Sequence, residues 1–284
     1  MTDKLTVAGK TVLITGAARG IGAAVARRLY AKGANLSLVG IEPDLLTALA
    51  AELGPRAAAF PADVTDQLSL DAAVAVTLDR FGNIDVVFAN AGIAPPTTTI
   101  AAITPSDFEH TLDVNLYGVW RTVKATLPHV IDSGGHMLLI ASIYAFLNGA
   151  LNASYAVSKA GVEQLGRALR VELATTDATA GVAYCGFIDT QMVRTAFSQD
   201  SAATLRNALP SFITKPMELD TAGAKIVRGI ERRSARVTMP WWVTSGLFAR
   251  GALSLLDSRL AADTRVRAAI NLAAAPGGHS RGQR

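Results

Sequence analysis

The sequence is poor in cysteine, with Cys185 the only one. No internal disulfide can form, and a reducing compartment is expected. Histidine is scarce too. His110, His129, His136 and His279 show none of the spacings that hold a metal ion, so no metal is expected. No uninterrupted run of about 18 apolar residues occurs, which excludes a spanning helix. The opening MTDKLTVAGK lacks an apolar stretch of signal-peptide length, and a cytoplasmic location is expected. Net charge is only +4, and the bases are scattered, several of them in the final residues. A basic stripe with stacking aromatics is missing, which argues against a nucleic-acid partner. No internal repeat and no Gly/Ser linker interrupts the chain before Pro240.

What is present is apolar in bulk. Hydrophobic residues make up 50% of 284 and charged residues 18%, which excludes disorder for most of the chain. TVLITG (11–16), NLSLV (35–39), AAAF (57–60), IDVVFAN (84–90), HMLLIAS (136–142) and GVAYC (181–185) read as strands, and RVTMP (236–240) offers a seventh. They are apolar nearly throughout, as strands covered on both faces are. Helical patterns fall between them, at 21–32, 43–53, 66–80, 105–131 and 154–176. Such alternation predicts an α/β fold: a doubly wound parallel sheet of about seven strands with helices on both faces. Residues 1–240 are read as one dinucleotide-binding catalytic domain and 241–284 as a C-terminal helical extension.

Two stretches raise chemical questions. Tyr155 and Lys159 in SYAVSK stand four apart, on one helical face. Both groups ordinarily release protons near pH ~10, so neither alone is a good base near neutrality. Ser142 adds a hydroxyl thirteen residues upstream. The second stretch is TVLITGAARGIGAAVARRL, a strand, a glycine turn and an apolar-periodic helix. Gly16, Gly20 and Gly22 permit a tight turn and close approach of a pyrophosphate to the helix N-terminus. Their spacing is GxxxGxG rather than GxGxxG, and a plain strand-to-helix turn is the competing reading. Likewise Ser142 suits a turn cap, Asn115 a polar helix position and Asp63 a helix cap.

Taken together, Thr15-Gly-Ala-Ala-Arg-Gly-Ile-Gly22, Ala89-Asn-Ala-Gly92, Asn115 in VNLYG, Ser142 and Tyr155-xxx-Lys159 resemble, in order and spacing, the short-chain dehydrogenase/reductase family. The resemblance covers roughly residues 8–240. It implies an NAD(P)-dependent alcohol dehydrogenase or carbonyl reductase with Asn115, Ser142, Tyr155 and Lys159 as the catalytic set. Tyr155 would be the general acid or base. Lys159 would lower the phenol's pKa and hold the nicotinamide ribose. Ser142 would donate to the substrate oxygen, and Asn115 would help hold a water near Lys159. The implied cofactor contacts are Gly16, Arg19, Gly20, Ile21 and Gly22; Gly40 and Ile41; Asp63 and Val64; Asn90, Ala91 and Gly92; Tyr155 and Lys159; and Gly186, Ile188 and Thr190. One departure is Cys185-Gly186 where the family usually has Pro-Gly, which frees φ and adds an N–H. A homodimer or homotetramer is the expected assembly.

Cofactor choice is expected to be loose, with a small bias to NADP. Gly40 stands where NAD-preferring members place an Asp, and Ile41 where NADP-preferring members commonly place an Arg. Arg19 could reach a 2′-phosphate and Glu42 could oppose it. Ile143, Phe146, Leu147, Leu151, Met192 and Phe197 suggest an apolar alcohol or ketone, with ordinary packing an equal alternative. Apolar positions 247, 248, 252, 255 and 256 predict an amphipathic helix in the tail. It would pack on the domain or a sister subunit, or touch a membrane surface. The last residues, APGGHSRGQR, are expected to be disordered. Two other functions fit less well: a redox sensor that binds dinucleotide without turnover, and an epimerase or dehydratase of the family's longer branch.

Overall fold

A computed structural model describes residues 4–274. The expectation for 275–284, His279 included, lies outside the described residues. The chain alternates strand and helix from the start: β1 (Thr11–Thr15), α1 (Gly20–Ala31), β2 (Asn35–Gly40), α2 (Pro43–Leu53), β3 (Ala57–Pro61), α3 (Gln67–Phe81) and β4 (Val86–Ala89). It continues with α4 (Pro105–Leu112), α5 (Gly118–Asp132), β5 (His136–Ser142), α6 (Ala153–Glu172) and β6 (Thr179–Cys185). Next come α7 (Gln191–Phe197), α8 (Asp200–Ala208), α9 (Ser211–Thr214), α10 (Leu219–Glu231) and β7 (Arg236–Met239). After β7 lie α11 (Trp242–Phe248), α12 (Arg250–Leu253), α13 (Asp257–Ala262) and α14 (Thr264–Ala274).

All seven strands are parallel, in the order β3-β2-β1-β4-β5-β6-β7. The order reverses between β1 and β4, so a crevice opens at their carboxyl ends, where such sheets bind ligands. Alternate side chains feed two cores. Leu13, Val87, Met137 and Leu139 face the side that holds α3, α5 and α6. Val12, Ile14, Leu38, Phe88 and Ile140 face the side that holds α1, α2 and α10. This double burial explains the apolar runs in the strands.

Two helices differ from the sequence expectation. The span 105–131 is not one helix. A π-helical turn at Asp113–Tyr117 separates α4 from α5 and carries Asn115 fully buried. Such turns insert an extra residue and are frequent at functional sites. The tail is not one amphipathic helix either. It breaks near Ala249, between Gly246 and Gly251, which favour helix poorly. Before the break the buried residues are Trp242, Val243 and Leu247, whereas Phe248 and Leu255 are about four-fifths and three-quarters exposed, at 79% and 76%.

The tail instead reaches the chain between β6 and α10. Ala269 and Ala273 of α14 pack with Leu151, and Leu205 of α8 and Ile270 pack against them. Arg265 Nη1 donates to Asn207 O at 3.1 Å, at the C-terminal end of α8. No helix among the described residues is long and apolar enough to cross a membrane.

Candidate active site

The site forms where β1, β4, β5 and β6 end. The glycine turn after β1 places Gly16 at φ +63° and Gly20 at φ +56°, a left-handed backbone that favours glycine. A Cβ on Gly22 would lie 2.2 Å from Gly16 O, so any side chain there would force the turn apart. Arg19, the N-cap of α1, makes no side-chain capping bond. The first N–H groups of α1 therefore point into the crevice without a side-chain acceptor, which suits an anion.

Asn90 holds this turn. Its Nδ2 donates to Thr15 O and Gly16 O at 3.0 and 3.1 Å. The Asn90 and Ala91 N–H groups donate to Thr15 Oγ1. Ile21 packs on the neighbouring core. Val64 is buried against Gly118, while Asp63 is exposed and accepts from Thr65 N–H at 2.8 Å. The helix cap is Asp66, which accepts from Leu68 N–H, so Asp63 is not the helix cap the competing reading required.

Beside β2, Gly40 is buried and Ile41 is 69% exposed. A Cβ on Gly40 would meet only ordinary contacts, at 3.8–3.9 Å from Leu46 and Ala17. Arg19 and Glu42 pair with each other through both guanidinium and carboxylate arms. The two charges thought to compete for a ligand thus neutralise one another.

The β6 segment closes the other side. A Cβ on Gly20 would sit 3.6 Å from Thr190 Cγ2, so the turn and Thr190 face each other across the crevice. Thr190 Oγ1 also caps α7. Ile188 is buried in the core. Gly186 N–H donates to Met239 O, Asp189 N–H to Met217 O and Met217 N–H to Phe187 O. These bonds give the loop the rigidity that Pro-Gly would otherwise supply. Cys185 is buried, its thiol pushed up to about 12 chiefly by burial and opposed by Lys159.

Tyr155, Lys159, Ser142 and Asn115 converge here. Lys159 Nζ donates to Ile140 O at 3.1 Å and lies 5.5 Å from the Tyr155 ring centre. Asn115 exchanges two bonds with Ile93: its Oδ1 accepts from N–H at 2.8 Å and its Nδ2 donates to O at 2.9 Å. A Cβ on Gly92 would sit 3.0 Å from Asn115 Oδ1 and 3.6 Å from Lys159 Nζ, so glycine keeps that approach open. Ser142 Oγ donates to Cys185 O at 3.2 Å and accepts from Tyr144 N–H, capping a short turn as well as facing the cleft.

The charges differ from expectation. Burial pushes the Tyr155 phenol above its ordinary value; Cys185 and Tyr144 add to this, while Ser142 pulls the other way. Lys159 is brought down to about 8, chiefly by burial. The expected downward pull of Lys159 on Tyr155 is not the dominant effect, because desolvation opposes both charged forms.

A cleft of about 110 Å³ opens beside Tyr155. Ile143, Met192 and Phe197 line it as expected. Phe146 and Leu147 pack on the core instead, and Leu151 meets α14. Tyr144, Phe187 and Arg206 were not anticipated. The signal for Tyr144 was its place two residues beyond Ser142; Arg206, in a segment of mixed polarity that also holds Arg194 and Asp200, gave none. Among the described residues, no cluster of His, Cys, Asp and Glu could hold a metal ion.

This arrangement joins an anion-binding crevice to an apolar cleft through one phenol. A model of the short chain dehydrogenases matches residues 10–201. The chain belongs to that family. It is 36% identical over 219 residues to 1-deoxy-11-beta-hydroxypentalenate dehydrogenase of Streptomyces avermitilis, covering 71% of this chain and 81% of the relative. Among solved structures it is similar to a 3-ketoacyl-(acyl-carrier-protein) reductase from Brucella melitensis complexed with NADH. The TM-score is 0.74 at 25% identity, covering 82% of this chain and 97% of that one. It is also similar to an alcohol dehydrogenase from Thermococcus sibiricus complexed with 5-hydroxy-NADP. There the TM-score is 0.71 at 27% identity, covering 81% and 95%.

The depressed Lys159 value has a measurable consequence. Below pH 8 the amine holds its proton in both folded and unfolded chains. Between about 8 and its unfolded value near 10.5 only the unfolded chain holds it, so stability rises with pH across that window. Lys159→Met removes the effect. Relative to that variant, the wild-type protein should gain up to about 3 kcal/mol between pH 7 and pH 10, in urea unfolding without ligand. A constant difference across that range would show that Lys159 titrates normally.

Proposed function

We propose that this oxidoreductase moves a hydride between a nicotinamide dinucleotide and an apolar secondary alcohol or ketone, with Tyr155 as general acid or base. The observation that carries the reading is the setting of Tyr155, which lines the apolar cleft together with Ser142 and has Lys159 behind its ring. The Brucella and Thermococcus neighbours hold NADH and 5-hydroxy-NADP, which supports dinucleotide binding here. The Streptomyces relative is named for dehydrogenating a hydroxypentalenate, which supports an alcohol substrate.

The residues fit such a cofactor. The glycine turn and the uncapped start of α1 would receive the pyrophosphate, Gly92 and Lys159 the nicotinamide ribose, and Thr190 the carboxamide. Gly40, Ile41, Asp63 and Val64 would border the adenosine end. When bound, the dinucleotide supplies or takes up the hydride. Tyr155 delivers the proton to the carbonyl oxygen, or removes it from the alcohol. Ser142 donates to the same oxygen as charge develops there. Lys159 stays cationic up to about pH 8 and favours the phenolate as the proton leaves. The bidentate bond to Ile93 uses both ends of the Asn115 amide, so Asn115 positions the β4 loop. Tyr117 and Trp120, exposed near and on α5, and Val157 and Val171 on α6 offer apolar surface for a homodimer or homotetramer.

Tyr155→Phe should bind dinucleotide almost normally and lose ~10²-fold or more in kcat on any alcohol or ketone that the wild-type enzyme turns over. Absorbance at the nicotinamide band reads the rate. An unchanged kcat would remove Tyr155 from the mechanism.

The Arg19–Glu42 pair supports weak cofactor discrimination. Neither charge is free to dominate, and Gly40 offers no carboxylate to the ribose. NADP should be favoured slightly, with kcat/KM for the two cofactors within ~100-fold, or less than ~2.7 kcal/mol. Arg19→Ala leaves Glu42 unpaired beside the adenosine end and should shift preference toward NAD. Gly40→Asp should shift it further. A ratio near ~10⁴ in the wild-type enzyme would place the choice in a contact outside this pair.

A further inference from the structure

The cleft beside Tyr155 has an asymmetric wall. Tyr155 meets Tyr144 edge to face at 5.8 Å between ring centres, Tyr144 meets Phe187 at 6.4 Å, and Phe187 meets Phe197 at 4.9 Å. The Arg206 guanidinium lies over the Phe197 ring, 4.9 Å from its centre. The proton-carrying phenol and a cation therefore stand at opposite ends of one aromatic ladder.

Arg206 is half-buried and no carboxylate among the described residues pairs with it. By contrast Arg28, Arg194 and Arg265 each hold an acid at 2.5–2.7 Å. Arg206 also lines a second, open cleft of about 550 Å³, whose mouth carries the exposed Lys215. Neither cleft is lined by an Asp or Glu. A guanidinium pressed on a ring loses water without gaining a counter-charge, and its fork matches a carboxylate.

The position is also held from behind. Leu205, the preceding residue, packs against the α14 cluster, and Arg265 donates to Asn207 O, one residue beyond Arg206. The segment after residue 263 thus fixes the part of α8 that aims Arg206. A last-turn arginine also favours its own helix dipole, a purely structural role that the test must separate.

We propose that Arg206 is a specificity residue that binds a carboxylate on the substrate, at the end remote from the reacting carbon. The substrate class is then an apolar ketone or secondary alcohol that carries a distant carboxylate, not a 2-keto acid. The proposal rests on the Tyr155 cleft being the substrate site.

The probes are straight-chain keto acids of increasing separation between carbonyl and carboxylate, each with its methyl ester. Binding to the full-length protein saturated with dinucleotide is measured by calorimetry, and turnover separately. At the best chain length the acid should bind about 10- to 100-fold tighter than its ester, the range of a hydrogen-bonded charge. Higher salt should narrow that ratio. Arg206→Met should erase it with an unchanged unfolding midpoint, and Arg206→Lys should restore part of it. Equal binding of acid and ester, or a ratio that survives in Arg206→Met, overturns the assignment. So does a preference seen only with phosphate-bearing thioesters, since these present an anion of another kind to the same cation. An acid preference that depends on Arg206 without turnover of any ketone would sink the oxidoreductase reading and leave the anchor standing.

Discussion

Burial of one amine organises the site. Lys159 is almost wholly enclosed, and its acceptor among the described residues is Ile140 O, two residues before β5 ends. An ammonium in that position is expensive, which is why its value falls to about 8. The cost is tolerated because α6 must present Tyr155 and Lys159 on the same face toward the carboxyl end of β5. Ile140 and Gly92 lie beside the amine and Asn115 lies beside Gly92, each placed by a different element. The π-helical turn brings Asn115 inward, the absence of a side chain at Gly92 leaves room, and β5 supplies the carbonyl. Moving any one of these would unseat the amine or close the path beside it.

The same burial acts on the phenol in the unhelpful direction. The protein alone raises Tyr155 rather than lowering it, so the chain does not carry a standing phenolate. A protonated phenol is suited to donating a proton to a carbonyl oxygen. In the proposed reaction, alcohol oxidation requires that the phenol be pulled down by the charge of the bound oxidised dinucleotide. Lys159, with its proton already loosened, then favours the phenolate without becoming trapped as a permanent ion pair.

Much of this was legible in the sequence. Strands buried on both faces write themselves as apolar runs, so the seven-stranded parallel sheet could be read directly, as could the glycine turn at its first crossover. The placement of Tyr155 and Lys159 followed from helical periodicity alone. What could not be read depended on partners distant in the chain. Asn90 stands at the carboxyl end of β4 as expected, but that its Nδ2 also bonds Thr15 O and Gly16 O was not readable from the sequence. Arg19 and Glu42 looked like rivals for a ligand and are each other's counter-ion. In the tail, apolar spacing suggested one helix, but tertiary packing selected Trp242, Val243 and Leu247 and left Phe248 outside. Arg206 was not legible because its segment is of mixed polarity, and only the folded cleft lining shows that no acid faces it.

The most direct test of the central claim is an ultraviolet difference titration of Tyr155, taken as wild-type minus Tyr155→Phe. It is run first without ligand and then with saturating oxidised dinucleotide. Without ligand the phenol should titrate above its ordinary value near ~10. With ligand it should move well below that value. A phenol that already titrates below ~10 in the free protein, or one that oxidised dinucleotide does not move, would contradict the account.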